Sequence, residues 1–242
     1  MNGAPLPALA ARVLEAYGGR ERWAAARSVR ATVSIGGVAL LSKGRLPLRH
    51  VPVAAELDFP RIRIDRLAGQ DTVAWLEGGS ARLATHAGQT LAARGDARAA
   101  FRSPRHLLWW DRLDASYFLG YTLWNDLTFP RLLLRPDLEW TELDETTLRA
   151  RFPPGLPTHC NEQIFRFDRE SGRLRRHEYT ADVFGPWASV VTVVLKHHEW
   201  DGLMCACRRV TTPGRASGKR FRWPVLWSFE IHAWRLSGAA LA

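Results

Sequence analysis

Five groups of residues in this 242-residue chain have types and spacings that suit chemistry. His159 and Cys160 are neighbours, an imidazole beside a thiol, which are the components of a base-activated cysteine nucleophile. In an extended segment, however, adjacent side chains point to opposite faces, so the two cannot share a proton. Pro153, Pro154 and Pro157 just upstream make this a loop entering a strand, where an inert thiol is expected. Cys205 and Cys207 share one face of a strand and would suit a soft metal, yet a zinc site wants four ligands and Cys160 is the one thiol left. His197, His198 and Glu199 resemble a ligand cluster until strand alternation sends His198 away from the other two. Asp111 and Asp114 are spaced for paired acid–base work, but they stand where carboxylates cap a helix and complement its dipole. The expectation is therefore no catalytic set, no metal and no cofactor.

The fifth group is basic and aromatic. Gly218-Lys-Arg-Phe-Arg-Trp223, with Arg215 and the hairpin residues Arg173, Arg175 and Arg176, has the composition to meet phosphates, with Phe221 and Trp223 stacking on bases or entering a lipid interface. A solvated loop explains the same residues, and RNA-binding signatures such as RNP1 are missing, so nucleic acid is not the expected partner. There is no P-loop, no GxGxxG after a strand, no GxSxG elbow and no HExxH, which removes the usual support for nucleotide and hydrolase chemistry.

The formal charge of +10 comes from 31 Arg and three Lys. That excess favours acidic partners without choosing among lipid, nucleic acid and protein. Residues 1–100 carry about +6, residues 101–160 about −1 and the remainder about +5, so positive charge brackets an apolar middle. Three cysteines cannot make a paired framework, which points to a reducing compartment. The segment MNGAPLPALAARVLEAYGG lacks a cationic cluster, a long apolar run and a lipobox cysteine, and on that ground the cytoplasm is the expected location.

The elements that would position these groups are mostly strands. Leu6, Leu9, Ala10, Val13, Leu14 and Tyr17 lie at helical spacing, and Gly18-Gly19 stops that helix. From Ser28 the period becomes two: Val29, Ala31, Val33 and Ile35 alternate with polar residues. The same rhythm returns at 51–59, 61–66, 72–77, 81–85 and 90–94, and again at 138–143, 147–152, 162–168, 174–180, 189–200, 203–211 and 225–236. Asp168 to Gly172 and Asp201-Gly202 read as hairpin turns, and Pro213 to Pro224 as a longer basic loop. Between the two strand series, residues 107–134 are apolar on nearly every side, with a helix expected from about Asp111 to Leu127. Its charged residues and Pro130 leave no run of about 20 apolar residues, so it does not read as a membrane span. A helix apolar all round must be covered, which lays it against the concave face of the sheet.

Three segments carry a family likeness: VLEAYGGRERWAAARSVRATVSIGG at 13–37, FDRESGRLRRHEYTADV at 167–183 and HHEWDGLMCACRRVTT at 197–212. Together they resemble the lipoprotein-carrier (LolA-like) superfamily, loosely and over most of the chain. YFLGYTLWNDLTFPRLLL at 117–134 is similar to bacterial proteins of no assigned function. The resemblance implies an unclosed barrel whose hollow is covered by helices and holds acyl chains. Members of the superfamily are exported, and the N-terminal segment here departs from that pattern.

These observations predict an α+β fold over residues 1–242 as one domain: a curved antiparallel sheet with an N-terminal helix and an apolar helix on its concave side. The leading functional expectation is noncatalytic binding of a hydrophobic or lipid-like small molecule between that helix and the sheet. Trp109, Trp110, Tyr117, Phe118, Tyr121 and Trp124 are the candidate wall; the competing reading is that they fill the core. Two alternatives remain: an enzyme using His106, His159 or Asp126 in the same hollow, and a basic adaptor for anionic partners.

Overall fold

In a sheet whose two edge strands are consecutive in the chain, the connection between them has to cross a sheet face, and this fold is built around such a crossing. The computed structural model describes residues 6–215 and 217–241. After two helices, α1 (Ala8–Ala16) and α2 (Arg20–Ala25), come strand β1 (Ser28–Gly36), a single turn α3 (Val38–Leu41), and strands β2 (Leu48–Glu56), β3 (Arg61–Asp65), β4 (Thr72–Glu77), β5 (Ser80–Thr85) and β6 (Thr90–Arg94). Two 3-10 turns (Ala99–Arg102 and Pro104–Leu107) lead into α4 (Arg112–Thr128). The remaining strands are β7 (Glu139–Asp144), β8 (Thr147–Arg151), β9 (Glu162–Phe167), β10 (Leu174–Thr180), β11 (Ser189–Trp200), β12 (Leu203–Pro213) and β13 (Trp227–Ser237).

All thirteen strands join one sheet in the order β6-β5-β4-β3-β2-β1-β13-β12-β11-β10-β9-β8-β7. The first and last strands pair at its centre, antiparallel, and the chain meanders outward on either side. β6 and β7 are opposite edges, so the barrel is unclosed, and α4, about 26 Å long, spans the concave face between them. The expected α+β half-barrel with an apolar helix inside it is the observed fold.

Local chemistry accounts for the joints. Gly18 ends α1 at φ 103°, and a Cβ there would lie 2.7 Å from Leu203 and 2.8 Å from the Gly202 carbonyl oxygen, so only glycine lets α1 close against the β11–β12 turn. That turn is Asp201-Gly202, with φ 51° and 70°, the left-handed pair that a tight hairpin requires. Asp111 caps α4 by accepting from the Asp114 N–H at 2.8 Å, while Asp114 accepts from the Asp111 N–H at 2.9 Å.

α2 is an element the sequence analysis does not anticipate, β2 runs Leu48–Glu56 where 51–59 is expected, and two further differences are linked. α3 forms where a plain break after Gly36-Gly37 is expected, and β13 begins at Trp227 rather than Val225. The two differences have one cause: the carbonyls of Val225 and Leu226 accept from the N–H groups of Val38 and Ala39, both at 3.1 Å, so this stretch satisfies α3 instead of extending the ladder.

Candidate functional site

α4 buries 14 of its 17 residues, but not against one kind of surface. One side packs on β2–β5, where Trp124 donates its indole N–H to the Glu56 carbonyl at 2.7 Å. A Cβ added to Gly120 would lie 2.8 Å from that of Leu76, so the helix packs directly on the Leu76 side chain there. The other side presents Phe118, Leu119, Thr122, Leu123 and Asp126, a stripe at helical spacing, toward β10–β13. Between that stripe and the sheet lies a cavity of about 30 Å³, closed on the far side by His159, Tyr179, Thr192, Arg209, Thr211 and Phe229. It has room for a water molecule or two and nothing larger.

The six candidate wall rings separate in this frame. Phe118 borders the cavity. Trp110, Tyr117, Tyr121 and Trp124 are fully buried core, stacked among Phe101, Phe118 and Phe184 or against the sheet. Trp109 stands outside: it is half-exposed, with the guanidinium groups of Arg105 and Arg45 at 5.2 and 5.9 Å from its ring centre.

What composition did not reveal is that a buried ion pair and several polar side chains border this mostly apolar cavity. Arg209, 4% exposed, reaches across from β12 and holds α4 through the Asp126 carboxylate and, at 3.1 Å, the Asp126 carbonyl. A third bond runs to the Ala206 carbonyl at 3.1 Å. Burial raises the Asp126 carboxyl above the usual range, and Arg209 pulls the other way. His159 is buried with its ring stacked on Tyr179 at 3.7 Å, and its Nδ1 has no partner among the described residues. Desolvation pushes its pKa down to about 3, so the ring is neutral. The Thr122 hydroxyl, on the same helix stripe, is likewise buried and unpartnered. Beside the cavity a chain of hydrogen bonds runs from His177 through Gln163 (2.6 Å) and Thr158 (2.6 Å) to Asn125 on α4 (3.2 Å).

These groups do not assemble into a catalytic set. Asp126 is engaged by Arg209 and has no hydrogen bond to His159. His106 lies elsewhere, 3.0 Å from Asp114 in the capping cluster, where Arg94 and Arg105 also pair with Asp114. Cys160 turns away from His159 toward the Glu162 carbonyl, 2.9 Å from its sulfur, and burial pushes its thiol up to about 11. Cys205 and Cys207 are buried, with Cys205 pushed up to about 12. Burial thus disfavours the thiolate, which is the nucleophilic form. His197 meets the Tyr17 hydroxyl at 3.2 Å, and no group of three metal-ligating side chains occurs among the described residues. No described helix is long and apolar enough to cross a membrane.

No protein-family description matches this chain, and no curated protein matches it in sequence. Solved structures do. A DUF1329 family protein from Desulfovibrio piger aligns over 96% of this chain and 93% of its own, with a TM-score of 0.50 and 12% identity. A putative outer membrane lipoprotein-sorting protein domain from Vibrio parahaemolyticus aligns over 94% and 90%, with a TM-score of 0.51 and 12% identity. A LolA superfamily protein from Nitrosomonas europaea aligns over 93% and 92%, with a TM-score of 0.45 and 7% identity. At such identities the likeness is one of fold.

Proposed function

We propose that this chain, a LolA-like half-barrel, binds an apolar or amphipathic small molecule without transforming it, admitting the ligand between α4 and β10–β13. The observation that carries the reading is the cavity at that seam, with the unpartnered His159 Nδ1 and Thr122 hydroxyl at its wall. Buried polar atoms without partners are costly, and a ligand bearing a hydrogen-bonding group would satisfy them. The solved lipoprotein-sorting domain of the same fold supports a ligand of lipid type. The cavity as it stands admits only water, so binding draws α4 away from β10–β13, the side on which Gly120 does not lock it. A ligand of this kind selects an open state that is a minor one in its absence. The three unpaired thiols support a reducing compartment for this activity.

Native mass spectrometry of protein purified from its own host tests the proposal, with a copurifying lipid-like mass as the expected result. Thr122→Leu, whose added bulk is about that of the water the cavity holds, is expected to abolish that mass while the protein remains folded. Repeatedly clean protein, together with no thermal shift on adding fatty acids, long-chain alcohols or phospholipids, would overturn it.

A further inference from the structure

Several stretches of the chain are free of carboxylates, and three of them are basic. Residues 36–49, 97–110 and 213–227 hold ten Lys and Arg between them and not one Asp or Glu. The fold brings all three to one end of the half-barrel. The Trp110 N–H donates to the Lys43 carbonyl at 3.3 Å, Arg45 donates to the Trp110 carbonyl at 2.5 Å, and α3 is joined to Val225 and Leu226 as described above. Among the described residues only Arg98 and Arg105 of the ten have a carboxylate partner. This contrasts with the outer face of the sheet, where Arg61 sits between Glu56 and Glu77 and pairs with both.

The same end displays large apolar side chains. Leu46 is 80% exposed, Leu108 79% and Trp223 79%, with Leu41, Leu107 and Trp109 around them at about half exposure. They stand on separate loops and turns, not on one flat face. A depression of about 340 Å³ opens beside Leu46, lined also by Arg45, Arg66 and Arg112, and Leu119, which lines it too, is also a wall of the inner cavity.

We infer that this end docks on an anionic phospholipid bilayer. Cations without counter-charges gain from the negative surface potential of such a membrane, and leucine and tryptophan tips gain by entering its interface. The choice of a bilayer rests on the aliphatic residues. Leu41, Leu46, Leu107 and Leu108 have nothing to gain from a phosphodiester chain, which rewards cations and aromatic stacking. Protruding side chains on three loops also need no shape-matched pocket in a fluid interface, whereas a protein partner must supply one. Docking stands apart from the carrier reading: it requires no movement of α4 and no occupied cavity. If the carrier reading also holds, Leu119 places the ligand's way in on the membrane-facing side.

Vesicle co-sedimentation of the full chain tests the inference. Vesicles of phosphatidylcholine with one part in three phosphatidylglycerol are expected to bind the protein at least about tenfold more tightly than phosphatidylcholine alone, with the difference falling as salt rises. Leu46→Ser, Leu108→Ser and Trp223→Ser combined are expected to weaken binding about tenfold or more, since each side chain is displayed to solvent. Arg102→Glu with Arg222→Glu should do the same, and Leu143→Ser, on edge strand β7, should change nothing. Equal binding to neutral and anionic vesicles, undiminished binding by the triple variant, or tighter binding to a single-stranded oligonucleotide than to vesicles would each overturn it. Because no readout depends on the inner cavity, this result and that of the mass-spectrometry experiment fail independently.

Discussion

Along β2–β5, α4 lies so close to the sheet that Gly120 faces Leu76 with no room for a methyl group, while along β10–β13 it stands off and the gap is bridged by Asp126 and Arg209. The first seam is held by shape. The second is held by polar atoms of which two, at His159 and Thr122, remain unsatisfied. Close apolar packing leaves one arrangement of lowest energy, because any separation forfeits contacts outright. A seam of buried polar groups has an alternative whenever water or a ligand can supply the same bonds. On the function proposed above, the two sides of one helix give it a fixed edge and a movable one.

The largest effect that would sharpen this contrast is expected at the ion pair. Arg209→Ala leaves the Asp126 carboxyl buried without its cation and should cost about 3–5 kcal/mol in denaturant unfolding. Arg209→Leu with Asp126→Leu should be close to wild type, because the double change removes the desolvation of both charges. If the single variant unfolds at the wild-type midpoint, the polar seam carries no stability and the contrast fails.

On the fixed side, Gly120→Val should cost roughly 3 kcal/mol by overpacking against Leu76. The same enlargement on the movable side, at Thr122, should cost less, since a cavity receives it. Equal costs would show that the two seams are equally tight.

A third, smaller effect is read in acid. His159 is held near a pKa of 3, and His177, buried with it, is also pushed well below its ordinary value. Both rings stay neutral when folded and gain a proton near pH 6.5 only when unfolded, so their stability is present above that pH and is lost as pH falls. From pH 6.5 to 5 His159 should cost about 2 kcal/mol, and His177 adds a loss of the same sign. His159→Phe keeps the stack on Tyr179 and should remove its share of the slope, leaving that of His177. An unchanged slope in the variant would mean that the ring is solvated through the seam. Smallest of all, Thr122→Val deletes an unpartnered hydroxyl and should be neutral or stabilising by up to about 1 kcal/mol.

Much of the scaffold was legible in the chain. Alternation in β1, the Asp201-Gly202 hairpin, the glycine stop after α1 and the Asp111 cap of α4 all follow from neighbours within a few residues, and each is where local rules put it. The opposite facing of His159 and Cys160 was legible for the same reason. α3 was not, since its N–H groups find their acceptors about 187 positions away in the chain, at Val225 and Leu226. Nor was the interior site. Asp126 reads as one more polar interruption of an apolar helix until the fold places it beside Arg209, 83 residues distant.

The sequence by itself determined a sheet of period-two strands interrupted by one apolar helix, because side-chain period and turn chemistry are properties of adjacent residues. It also determined where carboxylates are missing. Only the tertiary structure decided which rings became core, which helix face met polar groups, and that three acid-free stretches meet at one end. Those outcomes depend on which distant strands pair, and a charge or an aromatic ring has no fixed role until its neighbours in space remove it from water or leave it there.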